Sequence, residues 1–381
     1  MKTSIDLACQ LTERFGACQS WGMSALPAVR PTTREALREV LAFARAESLR
    51  VLPLGRGTKI GRRVAPAKLD FLIGMGGFNR VIAFEPGDGT LTAEGGASLD
   101  ELAALCRSAQ RTIVPELLPG ASLGGAIATA ETGSDRLWRG PMREHVLGLE
   151  VMLSSGATSR SGGRLVKNVA GYDLHRLHTG AWGGLGLIME ATLRLFPLPA
   201  VERRLSMVTA DLDAVHAAAF ALREARIPAK RIWSHKPTRL FIDLAGREDV
   251  VQSAHAQASD LLGELEVIAN TPGLEQRPAV VLHALPSKSH ELGTAATALH
   301  AALSEGATLS FDPLLARAAI ALDAANDRPA SELAQLVQQA SIPSGVHVSL
   351  PTNKEPALPA EAATLASGLE RALDSTGTFA R

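Results

Sequence analysis

A short apolar run, VLPL (51–54), passes directly into the glycine-rich GRGTKIG (55–61), and the spacing of these glycines restricts the fold more than any other feature. Glycines after a strand let successive backbone N–H groups close on a pyrophosphate without a Cβ in the way. A doubly wound nucleotide fold needs G-x-G-x-x-G opening a helix. Here the third glycine comes one position late, and Pro66 stands where that helix would run. The G-K-[ST] phosphate loop is also absent. Read alone, the segment is either an ordinary turn or a phosphate nest without a helix behind it.

A second stretch favours the nest. LLPGASLGGAIATAETG (117–133) offers Ser122, Gly124 and Gly125, followed by WRG (138–140). Small residues recur where a backbone lies against a flat ligand or packs on another backbone. The balance of 39 basic and 39 acidic residues gives no net field to draw the chain onto nucleic acid or anionic lipid. Cys9, Cys18 and Cys106 form no CxxC pair, which argues against a disulfide scaffold, a zinc knuckle or an iron–sulfur cluster of the chain's own. The N-terminus lacks a secretory pattern, and no uncharged apolar stretch reaches the roughly 18 residues that span a bilayer. A reducing cytoplasm is the expected location, with any membrane attachment made through partners.

Periodicity predicts an amphipathic helix over 32–48, with Thr32 and Glu35 at capping-box spacing and Leu37, Val40, Leu41 and Ala44 on one face. RVIAFE and TLTAEG (80–95) read as a hairpin through PGDG, and Ser98 with Glu101 opens a further helix. Residues 112–145 show no clean period and are expected to be an ordered loop. VLGLEVML (146–153) and LGLIMEATLRLF (185–196) read as buried strands, and the PLPA that follows marks a domain boundary near residue 200. Beyond it the order is β-α-β-β-α-β, a ferredoxin-like pattern, up to ELEVIA. The remainder is expected to be less regular, with helices near 287–304, 329–340 and 358–373 and no internal repeat.

The ordered set P-x5-A-S-x-G-G (Pro115 to Gly125), W-x-G, VLGLEV, GG-x3-KNVAGYD and TGAWGGLGLI resembles the FAD-binding domain of the vanillyl-alcohol oxidase and p-cresol methylhydroxylase (PCMH) superfamily. Within it, residues 25–200 look most like the FAD-binding E subunit of bacterial glycolate oxidases. The resemblance implies an α+β chain: a two-subdomain PCMH-type FAD-binding domain at 1–200, then a ferredoxin-like α+β cap at 201–381. It leaves room for the extreme C-terminus to return to the first domain.

The resemblance also implies the site. Gly55, Arg56, Gly57, Thr58 and Lys59 would cradle the FAD pyrophosphate through backbone N–H groups, and Ser122, Gly124 and Gly125 would run along the pyrophosphate and ribityl chain. Gly133 and Gly140 would permit close approach, and Gly183, Gly186, Leu187 and Ile188 would pass the cofactor again. Some relatives attach FAD to a histidine in or just after the first loop. No histidine precedes His145 here, so non-covalent FAD is expected. The implied partners are a catalytic D-type flavoprotein subunit and an iron–sulfur subunit, and the implied reaction is oxidation of glycolate to glyoxylate. Two other readings stand beside it: a self-sufficient dehydrogenase of another hydroxy acid or alcohol, and a non-catalytic assembly subunit.

Lys167, Asn168, Tyr172, Asp173, His175 and His178 gather many functional groups around the single tyrosine of the chain. No nearby carboxylate or cysteine completes a metal set with the two histidines, and none is assigned. Lys167 is either a cation beside the flavin or a partner of Asp173. Tyr172 is expected to anchor this loop through its hydroxyl. In the cap, His235, His283, His290 and His347 are scattered, VVLHALP and SGVHVSLP depart from the family's phrases, and no catalytic residue is assigned.

Overall fold

The structure is a computed structural model that describes residues 4–16, 26–59, 69–113, 120–131, 133, 135–164, 172–235, 238–269, 278–303, 307–322, 330–340, 342–344, 346–349, 367, 369 and 372–379. Lys167, Asn168, Cys18, Pro66 and most of the helix expected over 358–373 lie outside the described residues.

Helix α1 (Ser4–Phe15), strand β1 (Ala28–Val29), helix α2 (Arg34–Ala46) and strands β2 (Val51–Leu54) and β3 (Phe71–Gly74) form the first subdomain. Its sheet is parallel, in the order β1-β3-β2. The expected apolar stripe of α2 is buried against Val51, Phe71 and Ile73, and α1 adds Leu7 and Leu11 to the same core. The cap of α2 is Thr33, whose hydroxyl accepts from the Ala36 N–H at 3.1 Å, one residue after the Thr32 expected from the capping-box spacing.

The second subdomain runs from β4 (Val81–Glu85) and β5 (Thr90–Glu94) through α3 (Leu99–Ser108), β6 (Arg111–Thr112), α4 (Leu123–Ala128) and α5 (Arg136–Arg139). It continues with β7 (Val146–Met152), β8 (Thr158–Gly162), α6 (His175–His178), β9 (Leu187–Arg194) and β10 (Phe196–Pro197). The stretch 112–145, expected to be a loop, thus carries two short helices. The small residues of α4 and the single turn of α5 give little amphipathic signal.

Five of these strands form an antiparallel sheet in the order β4-β5-β9-β7-β8. Strand β9 lies at its centre and serves both cores. Leu187 and Met189 join Met152 in the first-subdomain core, whereas Ile188, Ala191 and Leu193 face α3 and α4. One rung aligns three carboxylates, Glu94, Glu190 and Glu150. Arg34, at the start of α2, binds both Glu150 and Glu190, Arg160 binds Glu150, and Arg80 binds Glu94 at 2.9 Å. Buried carboxylates on adjacent strands are tolerated only with such cations beside them, and Arg34 ties the two subdomains together in the process.

From residue 201 the chain builds one eight-stranded sheet. The ferredoxin-like order expected from the sequence is present as β11 (Val201–Val208), α7 (Leu212–Glu224), β12 (Ala229–His235), β13 (Arg239–Gly246), α8 (Glu248–Leu262) and β14 (Glu266–Ile268). The portion expected to be irregular repeats that topology with β15 (Pro278–Ala284), α9 (Ser289–Ala302), β16 (Ala307–Asp312), β17 (Arg317–Leu322), α10 (Ala330–Gln339) and β18 (Val346–Ser349). The strand order β14-β11-β13-β12-β16-β17-β15-β18 is therefore two copies of one pattern, joined edge to edge where β12 pairs antiparallel with β16. Each half buries its own helix-facing core. The chain then returns to the first sheet, where the Val51 N–H donates to the Thr378 carbonyl at 2.7 Å and Phe379 is buried beside α2.

Candidate functional site

The two glycine-rich segments meet. A Cβ on Gly55 would lie 1.9 Å from Ser122 Oγ and 3.1 Å from its Cβ, so a side chain at position 55 would have to push the Ser122 hydroxyl off the Gly125 N–H. The doublet Gly95–Gly96 at the end of β5 closes the same region from below. A Cβ on Gly96 would stand 2.1 Å from the Met75 carbonyl oxygen and 2.7 Å from that of Phe78, and one on Gly95 would stand 2.1 Å from the Ile188 carbonyl oxygen. These contacts are with backbone, which cannot swing aside. Sequence reading missed the Gly95–Gly96 pair, although a glycine doublet directly after a strand was a visible signal.

The N–H groups of the second segment are spent inside the protein. Leu123 donates to Ala97, Gly124 donates to Gly95 at 2.7 Å, Gly125 donates to Ser122 Oγ, and Ala126 donates to the Ser122 carbonyl. The first loop differs: among the described residues, the backbone N–H groups of Arg56, Gly57 and Thr58 have no hydrogen-bond partner. A run of N–H groups without protein partners, in a glycine-rich loop, fits the oxygens of a diphosphate.

Segment 180–188 completes the region. Gly180 donates to the Ile127 carbonyl and Trp182 to that of Ala128, so this segment caps α4. Gly183 packs on Pro53 of β2, the position on Gly186 faces Val151, and Leu187 and Ile188 begin β9 with buried side chains. Of the expected residues, the structure brings together Gly55, Ser122, Gly124, Gly125 and Gly183, with the loop to Lys59 continuing from Gly55. Gly133 and Gly140 instead bracket α5. Gly133 accepts from Arg136 N–H, and Gly140 ends the helix at φ +88° with its carbonyl 3.3 Å from His145 Nε2. The helix they bracket leans on β12, and Leu137 packs into the core of the cap.

The loop around the tyrosine differs from expectation. Tyr172 is 88% exposed, and among the described residues its hydroxyl has no hydrogen-bond partner. The main chain does that work: Ser161 Oγ donates to the Tyr172 carbonyl at 3.1 Å and accepts from the His175 N–H at 3.0 Å. Asp173 pairs with Arg176. His175 and His178 are buried, and desolvation lowers both; His178 is pushed down to about 4. Both imidazoles are held neutral at pH 7 as packed side chains of α6.

The face of the cap sheet turned away from its helices mixes charged and polar side chains with the stacked Trp233 and Phe241 rings. Ile232, Ile242, Leu309 and Phe311 point to the helices, and the alternate positions carry Arg231, Trp233, Asp243, Ser310 and Asp312. Arg231 bridges to Asp312 at 3.1 Å and Ser310 at 3.2 Å, joining the two halves of the sheet, and Arg204 pairs with Asp243. Asp312 is fully buried with its second oxygen unpartnered, and desolvation raises its pKa despite Arg231.

Known proteins share parts of this sequence and its fold. Residues 25–162 match the FAD binding domain family. The chain is 30% identical over 242 residues to glycolate oxidase subunit GlcE of Escherichia coli, covering 61% of this chain and 65% of that protein. It is 28% identical over 231 residues to glycolate oxidase subunit GlcD of Bacillus subtilis, covering 60% of this chain and 49% of that one. With D-2-hydroxyglutarate dehydrogenase of Xanthomonas citri pv. viticola it shares 30% identity over 51% of this chain and 41% of the other. The matches thus span about two fifths to two thirds of these relatives' lengths. Among solved structures, alkyldihydroxyacetonephosphate synthase superposes over 94% of this chain and 76% of that one, with a TM-score of 0.67 at 14% identity. Residues 25–162 therefore match an FAD binding domain, set in a two-subdomain PCMH-type fold with a ferredoxin-like cap, in a chain similar to glycolate oxidase subunits and a hydroxy-acid dehydrogenase.

Proposed function

We propose that this chain is the FAD-binding subunit of a glycolate oxidase or dehydrogenase complex and takes part in oxidising a 2-hydroxy acid, with glycolate to glyoxylate as the leading case. The observation that carries the reading is the junction of the two glycine segments, where Gly55 abuts Ser122 and, among the described residues, the N–H groups of Arg56, Gly57 and Thr58 beside it have no hydrogen-bond partner. The similarity to GlcE over 65% of its length supports the choice of subunit. FAD supplies a two-electron acceptor for the hydride on the hydroxyl-bearing carbon. The Arg56, Gly57 and Thr58 N–H groups would hold its phosphates, and Gly95, Gly96 and Gly124 pack backbone on backbone beside that loop.

FAD is held non-covalently, because the chain has no histidine in or after the first loop until His145. Electrons leave through a D-type flavoprotein subunit and an iron–sulfur subunit, in the cytoplasm or at the inner membrane through those partners. Among the described residues, no helix is long and apolar enough to cross a membrane.

An absorbance spectrum of the purified chain, with and without glycolate, tests the reading. A flavin spectrum that glycolate leaves unchanged until the partner subunits are added is the expected result. A colourless chain sinks the flavin assignment. Bleaching by the isolated chain refutes the need for partners, and a denatured precipitate that stays yellow refutes non-covalent binding.

A further inference from the structure

Lys59, at the end of the first glycine loop, is buried, which is unusual for a lysine next to a candidate phosphate nest. Its ammonium sits 3.3 Å from a carboxylate oxygen of Glu131, with side-chain exposures of 8% and 10%, and 3.4 Å from Thr58 Oγ1. Glu131 reaches it through a constrained turn. Helix α4 ends with Ala130 in the left-handed region at φ +47°, a conformation that a non-glycine residue adopts only at a cost. The Glu131 N–H then returns to the Ala126 carbonyl at 2.9 Å. Gly180, which caps the same helix, packs against Ala130.

The first loop and the second segment are therefore joined twice. At one end Gly55 abuts Ser122, and at the other Lys59 binds Glu131. The N–H groups of Arg56, Gly57 and Thr58 lie between these two fastenings. A lysine whose charge is already matched by a buried carboxylate contributes little net charge to a phosphate, and Arg56 is exposed.

From this geometry we infer that Lys59 is a positioning residue and not a phosphate ligand. The Lys59–Glu131 pair is a clasp that sets the width of the cradle and holds the Arg56–Thr58 N–H groups in line for the diphosphate of the cofactor. The inference rests on the FAD reading above. It separates two roles that a lysine in this loop could have, because a phosphate ligand acts alone whereas a clasp needs both partners.

Titrating FAD into the apo form of the full chain, followed by quenching of flavin fluorescence, tests it with no reference to turnover. Lys59→Met and Glu131→Gln should each weaken binding about ten-fold or more. The double variant should be no worse than the weaker single one, and the exchange K59E/E131K should restore most of the affinity. Melting of each apo variant by circular dichroism provides the folding control. The clasp is overturned if Lys59→Met weakens binding while Glu131→Gln leaves it unchanged or tightens it. It is equally overturned if the apo melting temperature falls but affinity does not change, or if the exchange binds no better than either single variant. Failure of the unmodified chain to bind FAD removes the flavin reading itself, and the clasp with it.

Discussion

The glycine-rich subdomains and the cap are held together in different ways. Around the glycine segments, backbone meets backbone: Gly96 lies against the carbonyls of Met75 and Phe78, and Gly124 donates to Gly95. In the cap, two ferredoxin-like units each bury an aliphatic core under helices and are joined across β12 and β16 by the Arg231–Asp312 pair. The first arrangement has no tolerance for added atoms. The second should lose stability when atoms or charges are removed.

That contrast can be broken most sharply by Gly96→Ala. The new methyl would sit 2.1 Å from a backbone oxygen, and the expected cost is about 5 kcal/mol or more, seen as loss of soluble folded protein or of its cooperative melt. Normal melting with full flavin occupancy would show that this backbone yields. In the cap, Arg231→Met strands the buried Asp312 carboxylate and should cost about 4 kcal/mol in chemical denaturation. Asp312→Asn in the same background should recover part of it, and the absence of recovery would deny the pair its role at the seam.

A third test uses pH. Folding pushes His178 from 6.5 down to about 4 by burial, so the native state binds fewer protons than the unfolded chain. Its contribution is fully present above pH 6.5 and is lost as pH falls toward 4, by about 3 kcal/mol across that window. His178→Gln should flatten that part of the stability profile relative to the unmodified chain. Equal slopes in both proteins would mean that His178 is not held neutral. The smallest effect is expected at Tyr172→Phe, within about 0.5 kcal/mol, because the ring is exposed and the loop is fastened by Ser161 to its main chain. A larger loss, or weaker flavin binding, would show that the hydroxyl acquires a partner in the loaded protein.

Much of the fold was legible in residue patterns. The stripe of α2, the hairpin of β4 and β5, the strands β7 and β9 and the first ferredoxin-like unit have strong periods because each buries one face or both. The second unit was not legible as a repeat. Its helix α9, SHELGTAATALHAA, is rich in small residues whose burial gives a weak stripe, and its strand pairing joins residues far apart in the chain. The glycine segments were legible as candidates, but spacing alone could not separate ligand approach from close packing.

The sequence by itself determined the class of loop, since the late glycine and Pro66 exclude a helix-backed dinucleotide site, and it named most residues that meet at the junction. Only the tertiary structure decided which of their N–H groups remain undirected, that Lys59 is matched by Glu131, that Tyr172 faces solvent, and that the cap is a doubled sheet. The physical reason is locality. Turn chemistry and hydrophobic period are written in neighbouring residues, whereas hydrogen-bond partners and charge pairs form between segments brought together by folding, here Lys59 with Glu131 and β12 with β16.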